Sequence, residues 1–317
     1  MNKYVWLAIV TQLVASTIPS ASKLVLNSFA VEPYIALRWS ISAIAFGILL
    51  IVSRVRCVWE PRLMASVAAL GLGGYVFASL GTLYAVKIGG VSFFALLTLL
   101  SPLIVVALAT IVLKEQVRRS TWIALGIALV GLTLMVKGKV EVFSVTSAMA
   151  ATVLVIAAYT SDGLTFLYSK PFQAKLSLVQ YLFAGQAAAA ISMWLVSFAM
   201  YPREQLIPPT FEVWAAIVYV AVVSCVGIYF VWYWLLKHIQ GQQLGVLQYL
   251  HGVAAALWGV LVFGEDVSRP MIAGSVLLLL SIVIVSKRTK HGVASNETRG
   301  LETSTGSAAG VEAGCRS

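Results

Sequence analysis

Long apolar runs, each ended by a short polar or glycine- and proline-bearing stretch, follow one another from the first residues to about position 286. A helix needs ~20 apolar residues to cross a hydrocarbon core, and by that measure the runs predict ten spans. They lie at about 4–22, 33–53, 63–86, 91–113, 120–137, 145–167, 176–199, 212–236, 244–263 and 270–286. The short alternating strands of a membrane barrel are absent, so helices are the spans expected. The fold class that follows is an all-α membrane protein. From Lys287 the chain turns polar, and 289–317 is expected to be a disordered cytoplasmic tail.

The pattern repeats on a larger scale. Laid over Tyr233–Lys287 at an offset of 150, the stretch Leu83–Lys137 matches Lys87 to Lys237, Glu115 to Glu265, Arg119 to Arg269 and Lys137 to Lys287. The two copies hold six and five charged residues, so chance gives about half a coincidence where four occur. Five spans separate the copies, which places one upside down relative to the other. Ten transmembrane helices as two inverted five-helix repeats are therefore expected, one over 1–140 and one over 141–288.

Composition agrees: 60% of the 317 residues are hydrophobic and 11% charged. The net charge of +10 would suggest nucleic acid in a soluble protein, but the basic residues gather at helix ends. With the N-terminus inside, thirteen Lys and Arg fall on the inner side and six on the outer. Both termini are thus expected to be cytoplasmic, in a cell membrane, with no nucleic acid as partner. Lys3, the first apolar run and Ser20-Ala21-Ser22 loosely imitate a cleavable signal peptide, but Gln12, Ser16 and Thr17 interrupt the apolar core it would need. Cys57, Cys225 and Cys315 have no spacing that suggests a disulfide framework or a metal site.

Short motifs point to a family. Pro33 precedes Ala36-Leu37-Arg38 at the opening of span two; Lys114-Glu115 is followed by Ala124 and Gly131, and Gly264-Glu265 by Gly274 and Ser281. Over nearly its whole length, the tail apart, the chain resembles the EamA-like ten-helix permeases of the drug/metabolite transporter superfamily. Each half of that family usually carries Gly-Glu, then glycines nine and seven residues further on; Lys114, Ala124 and Ser281 depart from it. The resemblance implies carriage of a small organic solute, and it supports a structural task for Arg38.

Polar groups deep in spans must face protein or water, so they mark the candidate site. Gln12, Ser16 and Ser20 recur every four residues on span one, a single helical stripe. Gln248 and His251 lie three apart on span nine, with Trp258 two turns along the same side, and the offset of 150 sets Thr98 over Gln248 and Ser101 over His251. Inverted-repeat transporters form their site where the repeats meet, which makes these faces the expected cavity wall. Asp162 is the one carboxylate well inside a span; with His251 it suits a proton relay or a site for an ammonium group, or else it bonds structurally to Ser or Thr. Arg38 either snorkels to the headgroups or pairs with a carbonyl or an anionic solute. Glu115 and Glu265, in short loops just before the next helix, are read as structural caps. Tyr229, Phe230, Trp232, Tyr233 and Trp234 are read chiefly as an interfacial belt, and Pro19 and Pro102 as kinks.

Three histidines and one intramembrane carboxylate are too few for an enzyme, no nucleotide-binding motif is present, and no cofactor is expected. The expected activity is secondary transport of a small-molecule solute across the bilayer, as an exporter of amino acids or similar small polar metabolites. Coupling to protons would run through Asp162 and His251. Antiport of a nucleotide sugar or organophosphate is the alternative, disfavoured by the scarcity of cations in the spans. A non-transporting structural protein is the other.

Overall fold

The computed structural model describes residues 3–54, 57–101, 103, 104, 108, 119–140, 145–235, 241–277, 279 and 280, with the backbone alone over 241–249. All regular structure among them is helical. Among the described residues six helices are long and apolar enough to cross a membrane: α1 (Lys3–Leu26), α2 (Val31–Ser53), α3 (Pro61–Gly89), α6 (Val145–Gln173), α7 (Leu178–Met200) and α8 (Phe211–Leu235). They coincide with predicted spans one, two, three, six, seven and eight. The other four predictions fall on α4 (Val91–Leu100), α5 (Arg119–Val140), α9 (Gly241–Phe263) and α10 (269–277). Pro102, Glu115 and the predicted tail lie outside the described residues.

Several helices depart from regular geometry for local reasons. Pro19 has no N–H to donate, and at Ser16 and Thr17 the side-chain hydroxyls bond back to the carbonyls of Leu13 and Val14, at 2.6 and 2.8 Å. Helix α1 is broken there into Lys3–Ala15 and Ile18–Leu26. Wider π-helical turns occupy Leu72–Phe77 of α3 and Val220–Ile228 of α8. Side chains from neighbouring helices bond to carbonyls within both, which stabilises the disturbed ladder. The Tyr75 carbonyl accepts from Trp39 Nε1 at 3.2 Å, and the Cys225 carbonyl from Gln186 Nε2 at 3.1 Å. Tyr75 and Cys225 are 150 positions apart.

Lipid offers apolar side chains as good an environment as the interior, so packing among the helices rests on close fit and buried hydrogen bonds. Ile44, Ile48, Ile51 and Val52 of α2 face outward, while Tyr34, Ile35, Trp39 and Phe46 are buried. Ser42 donates to Gln186 Oε1 in the interface of α2 with α7. Besides α2 with α7, the packed pairs include α4 with α9, α3 with α6, α1 with α8, α3 with α7 and α2 with α8. Exchanging each helix for the one five further along leaves this set of contacts unchanged.

Candidate functional site

The broken α1, the π-helical turn of α8 and helices α2, α3, α4, α6 and α9 enclose a cavity of about 270 Å³. Helix α1 contributes Gln12, Ala15, Ile18, Pro19 and Ser22, so the break at Ser16–Thr17 turns both of its segments toward the space. From α4 come Phe94, Thr98 and Ser101, one stripe at helical spacing. From α6 come Tyr159, Asp162 and Phe166, again one face, and from α9 His251.

The structure thus brings Gln12, Thr98, Ser101, Asp162 and His251 to one cavity, and Asp162 and His251 share its wall. His251 Nδ1 is buried with no hydrogen-bond partner among the described residues. Thr98 Oγ1 donates to the carbonyl of Ala95 at 2.6 Å, which leaves its lone pairs free to accept. The side chain of Gln248 lies outside what the structure describes. Ser16 and Trp258, expected on the wall, are not among the lining residues: Trp258 Nε1 donates to Ser16 Oγ at 3.2 Å, and Trp258 is 40% exposed on the outer surface of α9. The indole needed an acceptor, and the hydroxyl at the break in α1 supplies it.

Arg38, for which snorkelling to the headgroups and pairing with a carbonyl or an anionic solute were both open beside the structural task the resemblance supports, lines the cavity and is only 8% exposed. Its Nη2 donates to Ser79 Oγ, and its Nε is buried without a partner. The aromatic run of α8 also departs from a simple belt. Tyr229, Trp232 and Tyr233 line the cavity. Tyr229 packs edge-on against Trp39 and Tyr75 at 5.6 and 5.5 Å, and Tyr233 packs against Phe166 and Tyr181 at 6.1 and 5.7 Å. Trp234 and Phe230 point elsewhere, toward Tyr4 and Phe46. The helical period separates them, since residues four apart share a face and adjacent ones do not.

Among the carboxylates away from the cavity, Glu265 and Glu32 hold helices together. Glu265 does cap a helix, but that helix is α4, in the first half, and not the next one along the chain. The backbone N–H groups of Val91 and Ser92 donate to its two oxygens at 2.8 and 2.6 Å. Gly90 makes the approach feasible: its φ is +82°, and a Cβ there would lie 2.8 Å from Glu265 Oε1. The other carboxylate is Glu32, in the first turn of α2 and 4% exposed. It accepts from the hydroxyls of Tyr84 and, at 2.7 Å, Tyr201, tying α2, α3 and the end of α7 together. Burial and the Glu32 hydrogen bond push the Tyr201 hydroxyl up to about 12, so it stays a donor at neutral pH. Sequence reading passed over Glu32 because it sits at a span edge; the only signal was an acid beside Pro33 at a helix start.

A bundle of apolar helices long enough to cross a bilayer, packed around a polar internal cavity, defines a multi-pass membrane protein. The sequence profile of the EamA-like transporter family matches residues 2–137 and again 149–287. The chain belongs to the EamA-like transporter family, consistent with the drug/metabolite transporter superfamily. A protein of Archaeoglobus fulgidus described as an uncharacterized transporter is 26% identical over 262 residues, 80% of this chain and 87% of that protein. A solved crystal structure superposes with a TM-score of 0.65 at 17% identity, covering 92% of this chain and 99% of the other, and shares the fold.

Proposed function

We propose that the protein is a secondary transporter built from two inverted five-helix repeats, 1–140 and 141–288, that exports amino acids or similar small polar metabolites by alternating access. The observation that carries this reading is the single cavity lined by Gln12, Arg38, Thr98 and Ser101 from one half and by Asp162 and His251 from the other. Helix contacts that survive the exchange of halves support the repeat, as do π-helical turns and a twice-matched family profile near the same offset. A polar site at the meeting of two such halves is where a rocking motion exposes a solute to each side in turn.

On the orientation with both termini inside, the wall nearest the outer face is closed. Ser22, Arg38, Ser79 and Leu83 are buried there, and Glu32 with its two tyrosines lies beyond them. Tyr159, Asp162, Phe166 and Trp232, toward the inner face, are partly exposed. That asymmetry fits an inward-facing arrangement. A volume near the bottom of the ~300–1,000 Å³ range of ligand pockets suits an amino acid better than a nucleotide sugar.

The test is counterflow of labelled amino acids into liposomes holding the purified chain, with and without an imposed pH gradient. The wild type is expected to carry at least one amino acid and to be stimulated by the gradient. Asp162→Asn should lose that stimulation, and the double variant Gln248→Leu/His251→Leu should lower flux at least tenfold while remaining inserted and monodisperse. Full flux in the double variant, or none in the wild type for any amino acid, would overturn the reading.

A further inference from the structure

Arg38 presents a charge problem that the protein alone does not solve. A guanidinium 8% exposed within a membrane span has five N–H donors. Its guanidinium lies over the rings of Tyr34 and Trp39, 5.0 to 5.5 Å from their centroids, and its Nη2 donates to the neutral hydroxyl of Ser79, but its Nε is buried with no hydrogen bond to a described residue, and no described carboxylate forms an ion pair with it. Ring faces and one hydroxyl answer part of that charge, but none of them is an anion, and a buried cation is fully compensated only when a counter-charge reaches it. The space beside it is the cavity, so the missing anion is one that the cavity admits.

Asp162 poses the complementary problem on the same wall, a carboxylate that lines the cavity with no hydrogen bond to a described residue. Helix α3 serves as a ruler between the two groups. Arg38 bonds to Ser79 of that helix, and Ser161, the neighbour of Asp162, donates to the carbonyl of Gly73 at 2.8 Å. Six residues separate those levels, roughly 9 Å along the axis. Two hydrogen bonds of about 2.9 Å each leave ~3 Å for the ligand's own charges. That is the separation of carboxylate and ammonium in an α-amino acid. Tyr229 lines the same cavity, within electrostatic reach of both groups.

We infer that Arg38 is a substrate-binding residue that receives the carboxylate of an α-amino acid whose ammonium group is held at Asp162. The planar fork of Arg38 suits a carboxylate in a way that a point charge does not. The two poles together select a zwitterion over an amine or an acid of the same size, since either analogue leaves one buried charge unanswered. Ser79 is a positioning residue, holding one arm of the fork beside the cavity that both residues line. The inference rests on the amino-acid reading above and adds the group that discriminates.

Counterflow in liposomes holding the full chain tests it. A panel of labelled α-amino acids identifies the one carried fastest; its decarboxylated amine and its deaminated acid then compete with it, unlabelled. The wild type is expected to favour the zwitterion over each by at least tenfold. Arg38→Gln should bring the amine level with the zwitterion while still rejecting the acid, and Asp162→Asn should do the reverse. Because the preference is a ratio within one variant, lowered yield does not disturb it, and a merely structural role would not move it for one competitor alone. Arg38→Lys, which keeps the charge, should show an intermediate preference and serves if the glutamine variant does not fold. Wild-type preference in the Arg38 variants, or equal loss against both competitors, overturns the assignment and leaves amino-acid transport standing. A wild type that carries no amino acid removes the transport reading and the assignment with it.

Discussion

Replacing Glu265 by alanine is expected to destabilise the detergent-solubilised protein by about 3 kcal/mol or more, since two hydrogen bonds to a charged acceptor are lost, each worth about 1.5–3 kcal/mol. The Val91 and Ser92 N–H groups begin α4 and have no partner within their own helix, so the carboxylate is what satisfies them. Favourable alignment with the helix dipole adds about 0.3–1 kcal/mol. Glu265→Gln keeps the shape but brings an amide NH₂ against an N–H donor, and it should fall between wild type and alanine. The loss ought to appear first as separation of the α9–α10 connection from α4, because this cap joins the two halves. Thermal unfolding followed by tryptophan fluorescence reads the order of the three proteins. Wild-type stability in both variants, with transport lost, would instead assign Glu265 to the transport chemistry.

Much of this architecture was legible because membrane helices leave a simple trace. Ile44, Ile48 and Ile51 are apolar whether they face lipid or protein, so the length of each run marks a span even though its rotation stays hidden. Polar residues such as Asp162, Gln12 and His251 break that ambiguity, since water or protein must receive them, and they line one cavity. Depth and partner are what the linear pattern does not carry. Arg38 lies near enough to a span edge for snorkelling to be reasonable, and only the position of Ser79 on a different helix shows that it turns inward. The partner of Glu265 is 173 and 174 residues away, in the other half of the chain. Ser16 and Trp258 each read as cavity polarity, yet they meet one another across α1 and α9. The π-helical turns had no visible signature in Leu72–Phe77 or Val220–Ile228, because they depend on side chains supplied by α2, α6 and α7.

The contact between α3 and α7 yields the other large effect. Gly71 and Gly185 face one another so closely that a Cβ on Gly71 would lie 2.5 Å from the Gly185 carbonyl oxygen and 2.8 Å from its Cα. Both obstacles are backbone, so no rotamer change relieves them and the helices must part. On the other side, a Cβ on Gly185 would meet the ring of Tyr75 at 2.7 Å, within the π-helical turn that supports the cavity wall. Overpacking of this kind costs about 1–3 kcal/mol, and in lipid there is no hydrophobic drive to hold the pair together against it. Gly71→Ala is therefore expected to lower the unfolding temperature clearly, and Gly71→Leu to abolish monodisperse protein. Gly126→Ala is the control: nothing lies within 4 Å of a Cβ there, and alanine favours the helix by up to about 1 kcal/mol, so stability should hold or rise. Size-exclusion profiles and thermal unfolding of the three variants decide the matter, and an unchanged Gly71→Ala protein would mean that α3 and α7 do not approach as closely as the geometry requires. Because Tyr75 packs against both Trp39 and Tyr229, separation of these helices should also weaken solute binding, so transport is expected to fall with stability and not independently of it.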